Sequence, residues 1–194
     1  HPDFFRIHID HFLEIAHRYF GEVVEKMADR AALNLPLDNP KDPARQLRIG
    51  FVSADLRDHP VANFLEPVWR HIDRSSFSLY AYSNSERYDA KSRELEGLSV
   101  GWEKVCNISD VELARKINDD KIDILIDLSG HTAGNRLAMF AMRPAPLQMS
   151  SIGYPGTTGL AAVDYHTFND DNEAEGILDD QFTEKLIFLP SAHM

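Results

Sequence analysis

Apolar positions along this chain recur in two different periods, and the period changes near residue 46. Up to that point they fall three and four apart. Phe5, Ile9, Phe12, Leu13, Ala16, Phe20, Val23, Val24 and Met27 form a helical stripe. The stripe has no apolar counterpart in its own segment, so it predicts a helix that packs on something else. The stretch from Asn34 to Pro43 then places three prolines within ten residues, which cannot continue a helix and predicts a connector. Residues 1–45 are therefore expected as a helical linker segment with a Pro-rich connector, and residues 46–194 as one domain. No self-similarity at repeat length runs through the chain.

From Leu47 onward, short apolar runs alternate with helical stripes. The runs predict strands at 47–53 (LRIGFVS), 77–82, 101–105, 122–128 (IDILIDL), 147–152, 163–168 and 185–189. The stripes predict helices at 60–72, 90–98, 109–119 and 135–142. Ser109, followed three residues later by Glu112, has the spacing of a capping box. Strands alternating with helices of about ten residues build βαβ units. The expected fold is α/β, a Rossmann-like open and mostly parallel sheet preceded by a helical segment. Trp69, Tyr80 and Tyr82 read as packing residues within it.

Composition narrows the choice. At 194 residues with 43% hydrophobic content, the chain can build a core without a disulfide or metal staple. Its single cysteine, Cys106, excludes an internal disulfide and a Cys-rich zinc site, and reads as inert. No run approaches the ~20 apolar residues of a membrane span. No basic-then-apolar leader is visible, so the expectation is a cytoplasmic protein without a membrane partner. A net charge of −11 argues against nucleic acid as the main partner. Between Leu160 and Met194 stand eight acidic residues and one lysine, read either as a solvated acidic surface or as a partner-binding strip. His8, His11 and His17 share no metal-ligand spacing and read as surface residues of the leading helix.

In open α/β sheets, ligands bind beyond the carboxyl ends of the strands, so the loops there carry the candidate chemistry. None holds Gly-x-Gly-x-x-Gly, a P-loop or a Gly-x-Ser-x-Gly elbow, and the chain contains no Asp-x-Asp and no His-Glu-x-x-His. A resident metal or cofactor is not expected. After the first strand come Asp55, Asp58 and His59, with Pro60 suited to the first helical position. His59 is thus expected at a helix N-terminus, an end that attracts anions, where it either handles a proton or phosphate or serves as a structural loop residue. After the fourth strand, Gly130 and Gly134 flank His131 and Thr132, so backbone can approach a ligand closely. After the fifth, Gly153, Tyr154, Pro155, Gly156, Thr157, Thr158 and Gly159 offer amides and hydroxyls suited to sugar hydroxyls. Each glycine loop is also readable as a plain turn.

Taken together, LRIGFVSADLRDHPVANFLEPV, IDILIDLSGHTAGNRLAMFAMRPAPLQ and GYPGTTG resemble the catalytic region of the O-linked N-acetylglucosamine transferase family, in its SPINDLY-like bacterial and plant branch. The resemblance runs from about Leu47 to Leu189. It implies the N-terminal half of a GT-B glycosyltransferase, with a second Rossmann domain and upstream tetratricopeptide repeats as its partners in the full-length protein. The implied reaction is an inverting, metal-independent transfer from a nucleotide sugar, typically UDP-N-acetylglucosamine, to serine or threonine hydroxyls of protein acceptors. The plant branch also includes users of GDP-fucose. The resemblance gives His59 and Asp55 catalytic roles and Pro60 the place of the proline that follows. It sets Gly153, Tyr154 and Pro155, with Gly156 and Thr157 beyond them, against the donor sugar. His131 and Thr132 line the cleft floor. Val61 stands where the animal enzymes carry threonine, and His131 where they carry tyrosine, departures that bear on sugar and acceptor preference. A fragment of this kind is expected to be inactive alone and to pair with copies of itself through the edge meant for the second domain. The rival expectation is a catalytically silent interaction domain of the same fold.

Overall fold

A computed structural model describes residues 16–26, 28, 35–169 and 179–189. Residues 16–26 form helix α1. Strand β1 (Leu47–Ser53) leads through α2 (Pro60–His71) to β2 (Phe77–Ser83), and α3 (Ala90–Leu98) leads to β3 (Gly101–Lys104). Then follow α4 (Asp110–Asp119), β4 (Ile124–Asp127), α5 (Leu137–Ala141), β5 (Leu147–Ser150), β6 (Tyr165–Asn169) and β7 (Lys185–Leu189). The strands join one sheet in the order β3-β2-β1-β4-β5-β6-β7, and every neighbouring pair is parallel. The sheet is thus wholly rather than mostly parallel, and the α/β expectation holds.

Alternation along each strand explains why helices cover both faces. Phe51 and Ala81 face one way, packing with Ile49 and Leu79 against Ala62, Leu65 and Trp69 of α2 and Leu95 of α3. Their neighbours Val52 and Tyr82 face the other way, against Leu113 and Ile117 of α4 and Leu137 and Phe140 of α5. Ser109 caps α4 in the predicted box, its side chain accepting from the Glu112 amide while Glu112 reaches back to Ser109.

Polar residues shorten the predicted elements. The run IDILIDL yields only Ile124–Asp127 as strand. At its start Asp123 turns its carboxylate to Arg45, to the Arg48 amide at 2.9 Å and to Asn39 at 2.7 Å. At its end Asp127 folds the chain into a turn by accepting from the Ser129 and Gly130 amides. At α5, the Asn135 side chain accepts from the Leu137 amide at 3.2 Å, so the helix begins at Leu137, two residues inside the predicted span. The connector is held firmly. Besides Asn39, Asp38 pairs with Lys121 at 2.6 Å, and Asn118 donates to the Pro36 carbonyl at 3.0 Å.

Helix α1 packs on the domain through only part of the face its apolar stripe predicts: Val24 packs on the core and Phe20 meets the His131 ring edge-on, with centroids 5.2 Å apart. The inward positions are His17, Gly21, Val24 and Glu25, whereas Ala16 and Val23 face solvent. A Cβ built on Gly21 would lie 1.7 Å from the Gly159 carbonyl oxygen. The helix therefore touches the loop backbone to backbone, and only a residue without a side chain permits that approach. Glu25 accepts from the Ala162 amide at 2.9 Å, and Arg18 donates to the Asp180 carbonyl. Phe5, Ile9, Phe12, Leu13, Met27, His8 and His11 lie outside the described residues. Among the described residues no helix is long and apolar enough to cross a membrane.

Two predictions follow from these contacts. Gly21→Ala forces α1 off Gly159 while leaving the sheet intact. Hydrogen exchange in residues 16–26 then rises on the order of tenfold or more, with β1 and β4 amides unchanged; unchanged exchange in α1 would contradict the packing described. The second concerns pH. Burial pushes the Asp123 carboxyl up, but hydrogen bonds from Arg45, the Arg48 amide and Asn39 outweigh it, holding the pKa below its ordinary 3.8. A depressed carboxylate contributes stability above its unfolded pKa and loses it as pH falls through the folded one. The urea midpoint of Asp123→Asn is therefore expected to fall less than wild type's on acidification from about pH 5 to about pH 2, a range that starts above the unfolded pKa of about 3.9 and runs below it.

Candidate functional site

The strand order reverses direction between β1 and β4. The chain leaves β1 toward one side of the sheet and β4 toward the other, opening a crevice at their carboxyl ends. The loops after β1, β4 and β5 all emerge on this edge.

The first loop is built around buried Ser53, whose hydroxyl oxygen accepts from the Asp55 amide at 2.9 Å. Arg57 then pairs with Asp55 at 2.8 Å. His59 is the N-cap of α2, in extended conformation, with Pro60 opening the helix. Its Nδ1 accepts from the Val61 amide at 3.3 Å. In the neutral ring this places the proton on Nε2, which lies 3.9 Å from Asp55 Oδ1. One nitrogen of His59 thus caps the helix, and the other faces a carboxylate beside the crevice. The loop is tied down on its far side, where Asp58 donates from its amide to Asp89 at 3.0 Å and Ser92 donates to the Leu56 carbonyl at 2.9 Å.

The second and third loops nest on each other. A Cβ on Gly153 would lie 1.9 Å from the Leu128 carbonyl oxygen, and one on Gly130, at φ +51°, would lie 2.4 Å from Tyr154 Cβ. Beneath them Asp127 accepts from the Gly130 amide, the Ser129 amide and the Ser150 hydroxyl at 2.8, 3.0 and 2.9 Å. Burial pushes its carboxyl above the ordinary value despite these bonds. Thr132 donates its hydroxyl proton to the Ser129 carbonyl at 2.7 Å. Thr157 is buried and donates to Glu184 at 2.6 Å. Both threonines brace their loops, and Gly153, Tyr154, Pro155 and Gly156 form the more open stretch.

His131 donates from Nε2 to the Thr158 carbonyl at 3.0 Å. His17 of α1 stacks on it, with ring centroids 4.0 Å apart and planes within 7°. Tyr154 meets both rings edge-on, and its hydroxyl lies 3.4 Å from His17 Nε2. His17 is therefore not the surface residue its sequence context suggests. Burial, followed by the like charge of His131, pushes its pKa down; burial also lowers that of His131.

Beside this cluster lies an open cleft of about 330 Å³, lined by Phe64, Ile152, Tyr154, Pro155, His166, Thr167, Phe168 and Leu189. Phe64 is two-thirds exposed there. Ile152 holds φ at +35°, a conformation costly for a β-branched residue and characteristic of sites where backbone strain is retained. His166 is 1% exposed, and its Nδ1 has no hydrogen-bond partner among the described residues.

The sequence motifs did not point to His17, Phe64, Asp127, Ile152, His166 or Glu184. Asp127 had a readable signal, since Asp-x-Ser-Gly favours a side-chain-closed turn. Glu184 had none, because its partners are 26 and 27 residues away. Of the eight acidic residues after Leu160, Glu184 is buried and Asp164 pairs with Arg143 at 2.8 Å; neither belongs to a solvated strip.

This geometry has close relatives. The probable UDP-N-acetylglucosamine–peptide N-acetylglucosaminyltransferase SPINDLY of Petunia hybrida is 38% identical over 161 residues, covering 81% of this chain and 17% of its own length. The UDP-N-acetylglucosamine–peptide N-acetylglucosaminyltransferase of Caenorhabditis elegans is 35% identical over 150 residues, 75% of this chain and 13% of its own. A solved structure of the Thermobaculum terrenum O-GlcNAc transferase, in a lysine-to-methionine mutant, is similar with a TM-score of 0.74 at 41% identity. That match covers 87% of this chain and 33% of that one. The chain thus spans about a sixth of the plant relatives' length and a third of the solved transferase. The family model for glycosyl transferase family 41 matches residues 4–194, and with the shared sheet and loops it shows that this chain belongs to glycosyl transferase family 41.

Proposed function

We propose that this chain is the N-terminal half of the catalytic region of an inverting, metal-independent glycosyltransferase. The full-length protein would move N-acetylglucosamine from UDP-N-acetylglucosamine to serine or threonine hydroxyls of acceptor proteins. The observation that carries this reading is His59, capped at Nδ1 and open at Nε2 beside Asp55, on the same sheet edge as the glycine-rich loop. The names of the relatives supply the donor and acceptor classes. The uncharged cleft lined by Phe64, Ile152 and Pro155 supports a donor sugar with an apolar substituent such as an acetamido methyl.

In this mechanism the acceptor oxygen bonds to the anomeric carbon as the bond from that carbon to the diphosphate oxygen breaks. Inversion follows from attack on the face opposite the leaving group. His59 Nε2–H is oriented to donate to an anionic oxygen, and the Asp55 carboxylate is the group able to accept the hydroxyl proton. Arg57 restrains Asp55 in place. Gly153 to Gly156 would lie along the sugar, with Tyr154 held by the histidine pair. A chain with net charge −11 leaves most of the leaving-group stabilisation to a second Rossmann-like domain, since developing diphosphate charge calls for cationic or amide donors. We place upstream tetratricopeptide repeats and a cytoplasmic location in the same reading.

Asparagine is a good N-cap but carries no imidazole, so His59→Asn in the full-length protein separates the two roles. It should retain the wild-type melting temperature and lose sugar transfer by about 10²-fold or more. Transfer within a factor of a few of wild type, from a folded variant, removes His59 from the chemistry. Mass spectrometry of acceptor proteins incubated with a panel of nucleotide sugars tests the donor. A mass increment of N-acetylhexosamine from UDP-N-acetylglucosamine is expected. A deoxyhexose increment from GDP-fucose would replace the donor, and no increment from any donor would favour a silent interaction domain. This chain alone is expected to bind UDP only weakly, and submicromolar binding would show that the second domain is not needed.

A further inference from the structure

Glu184, at the threshold of β7, is 4% exposed, and its described hydrogen-bond partners are all neutral: the Thr157 hydroxyl at 2.6 Å, the Thr158 amide at 2.7 Å and the Thr158 hydroxyl. Burying a carboxylate is costly unless strong donors compensate. Three donors from two adjacent residues of one loop do so, because hydrogen bonds to an ionised acceptor are stronger than neutral ones. The threonines pass the constraint on. Thr157 Oγ1 accepts from the Gly159 and Thr183 amides at 3.0 and 3.2 Å, and Thr158 Oγ1 accepts from the Leu160 amide at 3.2 Å. The Thr158 carbonyl receives the His131 ring proton. At the other end of the same loop, Gly153 is wedged against the Leu128 carbonyl. The stretch from Tyr154 to Gly156 therefore hangs between two fixed points, one made by a glycine and the other by Glu184.

We propose that Glu184 is a positioning residue for the sugar-facing loop, anchoring Thr157 and Thr158 so that Tyr154, Pro155 and the His131 ring are held at the edge of the crevice. This rests on the proposed sugar-transfer function, although the anchoring itself does not. Glu184 is distinct from the Asp55–His59 pair, and its hydrogen bonds run to Thr157 and Thr158 of the loop, which is the route by which it positions the site.

The test uses the full-length protein with Glu184→Gln, which keeps the size and one acceptor oxygen but replaces the other oxygen with an amide donor. Thr157→Val and Thr158→Val each remove one hydroxyl donor and serve if the glutamine variant fails to fold. Hydrogen exchange across residues 157–160 should rise by roughly tenfold or more, while β1 and β4 amides stay at wild-type rates. Because the loop would touch the sugar in ground and transition states alike, KM for the nucleotide sugar should rise roughly tenfold with kcat falling less than about threefold. A double variant of Glu184→Gln with Thr157→Val should cost less than the sum of the two single changes. Unchanged exchange at 157–160 in folded variants overturns the anchoring. Faster exchange with an unchanged KM overturns the positioning role. If the wild-type protein transfers no sugar from any donor, the functional reading fails, and the exchange measurement by itself decides whether Glu184 anchors the loop.

Discussion

The candidate site depends on backbone segments approaching closer than any side chain would allow. At Gly153 the third loop rests against the Leu128 carbonyl, and at Gly21 helix α1 rests against Gly159. Gly159 in turn, at φ +76°, would drive a Cβ to within 2.0 Å of the His17 carbonyl oxygen. These contacts seat the loops after β4 and β5 on one another and the leading helix on both. Stacking of His17 on His131 follows from that seating, because the helix comes close enough for two rings to lie face to face. The glycines are therefore structural first, and they fix where the open amides of the loop lie.

A second theme is the burial of acidic groups beneath the loops. Asp127 and Glu184 both sit under the working edge, each held by amides and hydroxyls. Asp127 closes the turn that presents His131, and Glu184 closes the one that follows Gly156. Such carboxylates specify a loop conformation more than they stabilise a fold, since their desolvation offsets much of the bonding. They also account for part of the chain's acidic composition through internal hydrogen bonds to amides and hydroxyls.

Much of the architecture was legible before any coordinates. Residues 47–53 form the predicted strand without adjustment, and Ser109 with Glu112 caps the predicted helix, because both signals are local. The errors fall where polar side chains, bonding both nearby and far along the chain, compete with the apolar pattern. Asp123 and Asp127 trim the strongest apolar run at both ends. In α1 the apolar stripe found Val24 and Phe20 but missed His17 and Gly21: hydrophobic periodicity reports apolar burial, whereas this helix docks partly through a glycine and a histidine.

The sequence by itself determined the parallel α/β class and the loops at the carboxyl ends of the strands in which His59, Asp55, His131 and the Gly153–Thr157 run stand as candidates, since each is a short motif whose neighbours in sequence are its neighbours in space. Only the tertiary structure decided which of those residues face the crevice and which brace it. Thr157 turned inward, His17 joined the site from a segment read as a linker, and Glu184 reached across 26 residues to hold Thr158. The physical reason is that hydrogen bonds and ring stacking between distant segments depend on where the sheet brings them together, and no local period or composition encodes that meeting.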